Sequence, residues 1–268
     1  MAEPYGYRRA LERSNADLTR DDRPDTFTLG GREWHLHAGV FEPVYRPSTR
    51  VSLDFLGLDG VRDDGTAGDG TPGDGAPGGD EPENGTSENR PVPLRGRTFL
   101  EMGSGTGVVA VLAALAGCRS VVAADISPEA VRNTAHNAER HGVRDRVTAV
   151  RSDLFDALDP HARFDVVFWN SPFIPAPAGY AYRSLHERAF VDSGYAAHRR
   201  FLAEAPRRLT GGGSALLLFS SSKGDLPRLR GLAAECGRRL EVLCRRRVED
   251  GSDMAEAEYL LIGITAAG

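Results

Sequence analysis

From residue 97 onward, short apolar runs alternate with stretches of helical spacing. The helical stretches predict four helices, at Val108–Ala116, Pro128–His141, Tyr195–Leu209 and Leu226–Cys236. The apolar runs predict seven strands, at Thr98–Met102, Ser120–Asp125, Val147–Arg151, Phe164–Trp169, Ser214–Phe219, Leu240–Arg246 and Ala257–Thr265. Such alternation is typical of a doubly wound α/β sheet whose strands are mostly parallel. No helical pattern separates the last two strands, which predicts an antiparallel hairpin at one edge of the sheet.

The N-terminal part of the chain has a different pattern. Residues 1–25 are polar and predict a short helix or an arm, and residues 26–37 alternate around Gly30-Gly31, which predicts a β-hairpin. His35 and His37 would share one face of a strand, where a half-exposed edge is favoured over a metal pair because no further ligands lie nearby. Residues 39–56 contain two prolines and predict an extended segment that leads into a short helix.

The net charge of −5 is unevenly distributed. Residues 59–90 contain nine acidic and two basic residues, nine of the 31 glycines, and no Leu, Ile, Phe, Tyr or Trp. Such a segment cannot bury enough apolar surface to offset the entropy of ordering, so we expect a disordered insertion. The rest of the chain is nearly neutral, which argues against a nucleic-acid partner.

Other features of the composition favour a cytoplasmic protein. No apolar run approaches the roughly 18 residues that cross a bilayer, and the polar N-terminus lacks the apolar core of a signal peptide. The three cysteines, Cys118, Cys236 and Cys244, lie far apart, as is typical of reduced thiols. We expect no membrane contact and no metal site.

A glycine-rich loop, Glu101-Met-Gly103-Ser-Gly105-Thr-Gly107, joins the strand at Thr98–Met102 to the first of the four helices. Glycines there permit a tight turn and the close approach of a ligand to the backbone. Asp125 ends the next strand, 22 residues after Gly103, where its carboxylate can accept hydrogen bonds from both hydroxyls of a ribose. These features leave NAD, FAD and S-adenosylmethionine open.

Three more positions distinguish these cofactors. The carboxylate of Glu101, before the first glycine, suits a cationic amino group and repels a pyrophosphate. Asp153, just after the third strand, can accept a hydrogen bond from an adenine amino group. The strand at Phe164–Trp169 leads into Asn170-Ser-Pro-Phe173, whose asparagine oxygen and backbone carbonyls can orient the N–H groups of a nitrogen acceptor.

Through these motifs, residues 97–220, and more loosely up to 265, resemble a class I S-adenosylmethionine-dependent methyltransferase. The similar subgroup has an Asn-Pro-Pro-Tyr/Phe motif after its fourth strand, and LEMGSGTG, SDLF and FDVVFWNSPF look most like the glutamine methyltransferases that act on translation release factors. The resemblance implies S-adenosyl-L-methionine as cofactor and a seven-stranded, mostly parallel, Rossmann-like sheet with an antiparallel last strand. It implies catalytic roles for Asn170, Ser171, Pro172 and Phe173. It also implies cofactor contacts at Thr49, Glu101, Gly103, Ser104, Gly105, Thr106, Gly107, Asp125, Ile126, Ser127, Asp153, Leu154 and Asn170.

The chain departs from that subgroup at Ser171, where the family has proline. Ser171 keeps the carbonyl that nitrogen methylation needs, and its extra N–H and hydroxyl could bind something other than a planar amide. The following residues, 174–193, lie where substrates bind in such sheets. Candidate substrate contacts are Phe173, Tyr180, Tyr182 and His186. His186 is either a general base for an oxygen acceptor or a surface histidine in a mobile loop. Arg183 and Arg188 either pair with Glu187 and Asp192 or receive an acidic substrate.

The N-terminal part lacks the helical bundle that docks the protein substrate in release-factor enzymes. We therefore expect an arm, hairpin and cofactor-covering segment at 1–58, the insertion at 59–92, and the methyltransferase domain at 93–268. The favoured function is methylation of a nitrogen of a small molecule in specialised metabolism, and the alternative acceptor is a protein glutamine side chain. Two alternatives come from other functional classes: an NAD-dependent oxidoreductase, and a cofactor-binding protein without catalysis. The sequence leaves the oligomeric state open.

Overall fold

The computed structural model describes residues 6–61, 92–250 and 256–267. The predicted insertion at 59–92 therefore lies almost wholly outside the described residues. The helices are α1 (Tyr7–Thr19), α2 (Pro47–Phe55), α3 (Val108–Leu115), α4 (Pro128–Arg140), α5 (Ala196–Glu204) and α6 (Leu226–Glu235). The strands are β1 (Thr26–Leu29), β2 (Arg32–His35), β3 (Thr98–Met102), β4 (Ser120–Asp125), β5 (Val147–Arg151), β6 (Phe164–Asn170), β7 (Ile174–Ala176), β8 (Val191–Ser193), β9 (Leu209–Ser220), β10 (Arg238–Glu249) and β11 (Glu256–Ala266).

Seven strands form the central sheet in the order β10-β11-β9-β6-β3-β4-β5. The pairs from β9 through β6, β3 and β4 to β5 are parallel, and β11 runs antiparallel to both β9 and β10. The predicted fold class, with its antiparallel last strand, is confirmed. The strand order reverses between β3 and β6, and ligands bind in the crevice at the carboxyl ends of strands at such a switch point.

Alternation along the strands produces two cores, one on each face of the sheet. Phe99 and Phe168 belong to the core shared with the hairpin, α2, α3 and α4, whereas Leu100 and Trp169 belong to the core shared with α5 and α6. Helix α3 is apolar throughout, and its residues from Val108 to Ala114 are all buried. A helix buried on all sides fixes the adjoining glycine-rich loop firmly.

The N-terminal segments pack onto this domain. The predicted hairpin forms around Gly30 and Gly31, whose φ angles of 60° and 71° match the turn chemistry that glycine allows. Two fully buried asparagines on α4 hold it: the backbone N–H of His35 donates to Asn137 Oδ1 and that of His37 to Asn133 Oδ1, both at 2.8 Å. The side-chain amides of these two asparagines thus hold β2 and the residues after it against α4.

Two features differ from the sequence prediction. The predicted helix from Tyr195 to Leu209 ends as α5 at Glu204 and continues as a 3₁₀ turn, Ala205–Arg208, which contains Pro206. The stretch after the Asn170 motif forms a parallel pair, β7 with β8, around the 3₁₀ helix His186–Ala189. We call residues 174–193 the flap.

No helix among the described residues is long and apolar enough to cross a membrane.

Candidate active site

One large cavity opens at the carboxyl ends of β3, β4 and β6, between the glycine-rich loop, the flap, α1 and α2. Of the residues predicted to form the site, Gly107 and Tyr180 do not line it. Those that line it are Thr49, Glu101, Gly103, Ser104, Gly105, Thr106, Asp125, Ile126, Ser127, Asp153, Leu154, Asn170, Ser171, Pro172, Phe173, Tyr182 and His186.

The glycine-rich loop turns through left-handed backbone conformations. Gly105 has φ 54° and nothing lies within 4 Å of where a Cβ would be, so this residue leaves open space on the cavity side. Gly107 has φ 77°, and a Cβ there would lie 2.8 Å from the Thr134 side chain of α4. Gly107 is therefore required for packing between helices, and its predicted direct contact with the cofactor is not supported by its position.

Glu101 is the last residue but one of β3 and is 3% exposed. Its Oε2 accepts the backbone N–H of Ala110 at 2.8 Å, which satisfies a donor in the first turn of α3. Burial, together with the nearby charge of Asp125, raises the pKa of this carboxyl well above its usual range. A cationic ligand group beside it would favour the ionised form.

Asp125 ends β4 and is held in place by the backbone. Its Oδ2 accepts the N–H of Gly105 at 2.9 Å and its Oδ1 accepts the N–H of Ser127 at 2.8 Å. Burial raises its pKa, and these backbone donors oppose that effect. Each carboxylate oxygen retains a lone pair for a further donor, as recognition of a ribose requires.

Asp153 and Leu154 lie at the next strand end. Arg200 of α5 donates to Asp153 Oδ1 at 2.9 Å, and Arg188 of the flap lies 3.8 Å from Asp153 Oδ2. Leu154 adopts a left-handed conformation, with φ 53°, that turns its side chain into the crevice wall. The predicted adenine subsite therefore has an acidic residue shared with two arginines.

The Asn170-Ser-Pro-Phe173 turn follows β6. Asn170 lines the cavity, and among the described residues its side-chain amide has no hydrogen-bond partner. Ser171 is turned away: its hydroxyl donates to the Leu218 carbonyl at 2.9 Å and the residue is 3% exposed. The hydroxyl proton is thus used within the sheet, and a contact between this hydroxyl and a substrate stays a prediction.

Phe173 closes the turn. Tyr195 donates its hydroxyl to the Phe173 carbonyl at 2.6 Å, and the Phe173 ring packs edge-on against Phe219 and Tyr259. The acceptor turn is consequently held by α5, β9 and β11 together.

The flap positions its two tyrosines differently. Tyr182 lines the cavity, accepts the N–H of Ser193 at 2.8 Å and donates to the Val191 carbonyl at 3.3 Å. Tyr180 packs against Tyr7 of α1 and donates to Glu187 at 3.1 Å. Its predicted substrate contact does not fit this position, because the ring lies outside the cavity.

His186 is 5% exposed, so the reading as a surface histidine is wrong. Its Nδ1 lies 2.8 Å from the hydroxyl of Ser14 on α1, and its Nε2 is buried without a partner among the described residues. Burial, with the charges of Arg23 and Arg46, lowers its pKa to about 4, and the imidazole is neutral near pH 7.

The carboxylate of Asp192 pairs with His198 at 2.8 Å, and neither Arg183 nor Arg188 is its partner.

Three basic residues in the cavity wall were not predicted as site residues. They are Arg13 of α1, Arg46 just before α2, and Lys223 in the turn after β9. Lys223 is the one lysine among 33 basic residues, a rarity that made it noticeable in the sequence without indicating its place in the fold.

The histidines His35 and His37 lie against His136, and no metal-binding group of three or more His, Cys, Asp or Glu occurs in the described part of the chain.

The residues fit S-adenosylmethionine. A buried carboxylate lies at the start of the loop, the loop leaves open space at Gly105, and a backbone-anchored carboxylate lies at the next strand end. That combination suits a cationic amino group and a ribose diol.

Comparison with known proteins agrees with this fit. Residues 90–171 match the family described as ribosomal protein L11 methyltransferase. The chain is 31% identical over 160 residues to a putative protein N5-glutamine methyltransferase of Methanocaldococcus jannaschii, an alignment that covers 59% of this chain and 78% of the relative. It is 35% identical over 132 residues to the ribosomal protein uL3 glutamine methyltransferase of Bordetella pertussis, covering 47% of this chain and 44% of the relative.

Solved structures share the fold. A putative S-adenosylmethionine-dependent methyltransferase from Streptococcus mutans has a TM-score of 0.55 at 13% identity, covering 90% of this chain and 56% of that one. A putative methyltransferase solved with S-adenosylhomocysteine has a TM-score of 0.56 at 14% identity, covering 90% of this chain and 56% of that one. The chain thus spans most of the archaeal relative and about half of the other relatives named.

Proposed function

Since the chain belongs to the class I S-adenosylmethionine-dependent methyltransferases related to the protein glutamine methyltransferases, we propose that it methylates a nitrogen of a small molecule. The observation that supports this most directly is the Asn170 side chain, which lines the cavity and has no partner among the described residues. A side-chain amide that faces a cavity without a hydrogen-bond partner can form hydrogen bonds with an acceptor and orient it.

The cofactor supplies an electrophilic methyl group on a sulfonium when it is bound. Glu101 would hold its amino group, Asp125 its ribose, and Asp153 with Leu154 its adenine, while Thr49 of α2 borders the same cavity. Both Glu101 and Thr49 are buried, at 3% and 7% exposed.

The acceptor nitrogen would be oriented by Asn170 Oδ1 and by a backbone carbonyl at Ser171 or Pro172. Two fixed acceptors hold the N–H groups, so the lone pair points toward the cofactor side of the cavity. Phe173 and its aromatic neighbours form an apolar wall beside that position. A neutral nitrogen needs little help from a base, and the neutral His186 is compatible with such an acceptor.

The N-terminal helix favours a small acceptor. Ala10 and Arg13 of α1 line the cavity, and Ser14 bonds His186 of the flap in a buried contact. Helix α1 is thus a wall of the acceptor end, which we define as the part of the cavity bordered by the Asn170–Phe173 turn, the flap and α1. A protein loop would have to pass this wall to reach Asn170.

A glutamine side chain of a protein is the second candidate. The names of the curated relatives favour it, since both are glutamine methyltransferases. The planar amide of glutamine would also suit the two hydrogen-bond acceptors of the turn.

A methyl-transfer screen with labelled S-adenosylmethionine tests the proposal. Cell extract is separated into protein and small-molecule fractions, and label is expected in the latter. Label confined to protein would overturn the small-molecule acceptor in favour of glutamine.

The variant Asn170→Ala tests the role of the turn. We expect it to lose about a hundredfold in turnover, because an orienting hydrogen bond is removed, and to keep most of its affinity for S-adenosylhomocysteine, because Glu101 and Asp125 are unchanged. Asn15→Ala, at an exposed position of α1, is the matched control. Full turnover in Asn170→Ala would remove this role.

A further inference from the structure

The acceptor end of the cavity has a basic wall. Arg13, Arg46 and Lys223 all line the cavity. Burial lowers the pKa of Lys223, and the charges of Arg13 and Arg46 act in the same direction, against the raising effect of Asp250. The three residues come from α1, from the segment before α2 and from the turn after β9, so only the folded chain brings them together.

Lys223 lies next to the acceptor turn. A Cβ on the neighbouring Gly224 would come within 2.5 Å of the Phe173 carbonyl, so the chain at Lys223 passes directly behind Asn170–Phe173. Arg46 lies beside the flap, with its guanidinium 5.5 Å from the ring centre of Phe190. Lys223 therefore lies beside the acceptor turn and Arg46 beside the flap, and both of these segments border the acceptor end.

The carboxylates that balance these cations lie outside the cavity. Lys223 Nζ is 2.5 Å from Asp250, and Arg46 Nη2 is 2.7 Å from Asp17, and neither acid lines the cavity. These ion pairs fix the two cations in position, which lowers the entropic cost of using them to bind a ligand.

The acids that do line the cavity have other partners or belong to the cofactor motifs. Glu101, Asp125 and Asp153 form the cofactor motifs, and Asp192 accepts from His198 and from the first turn of α5. Among the described residues, no other carboxylate lines the cavity, so basic lining residues outnumber acidic ones at the acceptor end.

We propose that the acceptor is a small molecule that carries an anionic group, a carboxylate or a phosphate, and that Lys223 with Arg13 and Arg46 binds this group while Asn170 holds the nitrogen. The aromatic side chains of Phe41, Phe173, Phe190 and Tyr259 supply the apolar surface between the two ends. This inference rests on the proposed function and specifies the substrate class of the same site.

Calorimetry on the full chain saturated with S-adenosylhomocysteine tests the inference with three probes. Benzoate and inorganic phosphate are the anions, and methyl benzoate is the neutral match of benzoate. We expect at least one anion to bind about tenfold more tightly than methyl benzoate, as for a charge-assisted contact. The anion that binds identifies the group, and anions that bind no better than methyl benzoate would overturn the inference.

A double variant tests whether Lys223 binds the anionic group. Lys223→Gln alone leaves Asp250 buried without its cation and could unfold the chain, so Lys223→Gln is combined with Asp250→Asn. The double variant is expected to lose about tenfold in anion affinity, with unchanged affinity for S-adenosylhomocysteine. Arg132→Gln, at an exposed position on α4, is the control. Unchanged anion affinity in a folded double variant would contradict the assignment to Lys223.

Arg46→Gln distinguishes substrate from cofactor binding. Loss of anion affinity alone supports its place in the basic wall, and loss of S-adenosylhomocysteine affinity would overturn it in favour of the cofactor's own carboxylate. The labelled-donor screen remains a separate test, so failure of anion binding leaves nitrogen methylation standing.

Discussion

At the scale of single residues, Glu101 is subject to two opposed requirements. Its burial raises the pKa, so the folded chain keeps this proton to a higher pH than the unfolded chain does. Unfolding stability must therefore fall as the pH rises from the ordinary glutamate range through the raised pKa. Only the ionised form attracts a cationic amino group, so the proposed role of Glu101 predicts that cofactor affinity rises over the same range.

The variant Glu101→Gln separates the two effects. Glutamine can still accept the N–H of Ala110 but carries no charge, so we expect greater unfolding stability near neutral pH by about 1–3 kcal/mol. Affinity for S-adenosylmethionine should fall by about tenfold and lose its dependence on pH. Thermal melts and calorimetry across the pH range measure both.

Glu139→Gln, at an exposed position of α4, is the control for that measurement. It should change neither quantity. A Glu101→Gln protein that is less stable and binds the cofactor as tightly as before would contradict the assignment of Glu101 to the amino group.

Residues at strand ends were predictable from the sequence, and residues brought in by long-range packing were not. Asp125 and Asn170 each end a parallel strand and Glu101 is the last residue but one of another, so the strand pattern alone places them at one edge of the sheet. Lys223 lies in a turn whose next residue, Gly224, packs against Phe173, and His186 is buried in contact with Ser14 of α1. No local pattern encodes either contact.

At the scale of elements, two glycines of the glycine-rich loop have different roles. Gly105 borders open space in the cavity, and Gly107 lies against α4. Both have positive φ, so an added Cβ costs roughly 1–2 kcal/mol at either position. Only at Gly107 does the Cβ also collide with another element.

Gly105→Ala and Gly107→Ala are therefore a matched pair. We expect Gly105→Ala to lose cofactor affinity with a modest loss of stability, and Gly107→Ala to lose about 2 kcal/mol or more of stability through the clash with Thr134. Denaturant unfolding and calorimetry with S-adenosylhomocysteine distinguish them. Equal loss of stability in both variants would contradict the division.

The short strands of the flap show where the sequence pattern stops being informative. β7 and β8 have three residues each and pair only with each other, so neither produces an alternation long enough to recognise. The long strands β10 and β11 were recognised, although both extend beyond their apolar runs because pairing continues into exposed positions.

At the scale of the whole molecule, the two described ends that flank residues 62–91 lie in one core. Val61 is 6% exposed and Leu94 is 5% exposed, and both belong to the cluster that contains the hairpin, α2 and α3. Arg32 donates to the Val61 carbonyl at 3.0 Å, and the thiol of Cys118 lies 3.3 Å from the Leu94 carbonyl. Each end is held by its own contacts.

We expect residues 64–88 to be replaceable by a flexible linker of about ten residues. Each doubling of loop length costs only about 0.6 kcal/mol, so thermal stability should change little. Affinity for S-adenosylhomocysteine should also be unchanged, because the cavity-lining residues come from other segments. Calorimetry on the shortened chain measures this, and loss of cofactor binding would place the insertion in the site.

Asn137 connects two parts of the molecule that are far apart in the chain. Its Oδ1 accepts the N–H of His35 at 2.8 Å, and its Nδ2 donates to the Thr106 carbonyl at 2.8 Å. One planar amide therefore connects the N-terminal hairpin to the glycine-rich loop through two hydrogen bonds. Because one amide group makes both bonds, a displacement of the loop is expected to shift the hairpin or to weaken one of these two bonds, so the hairpin restrains the loop beside the cavity.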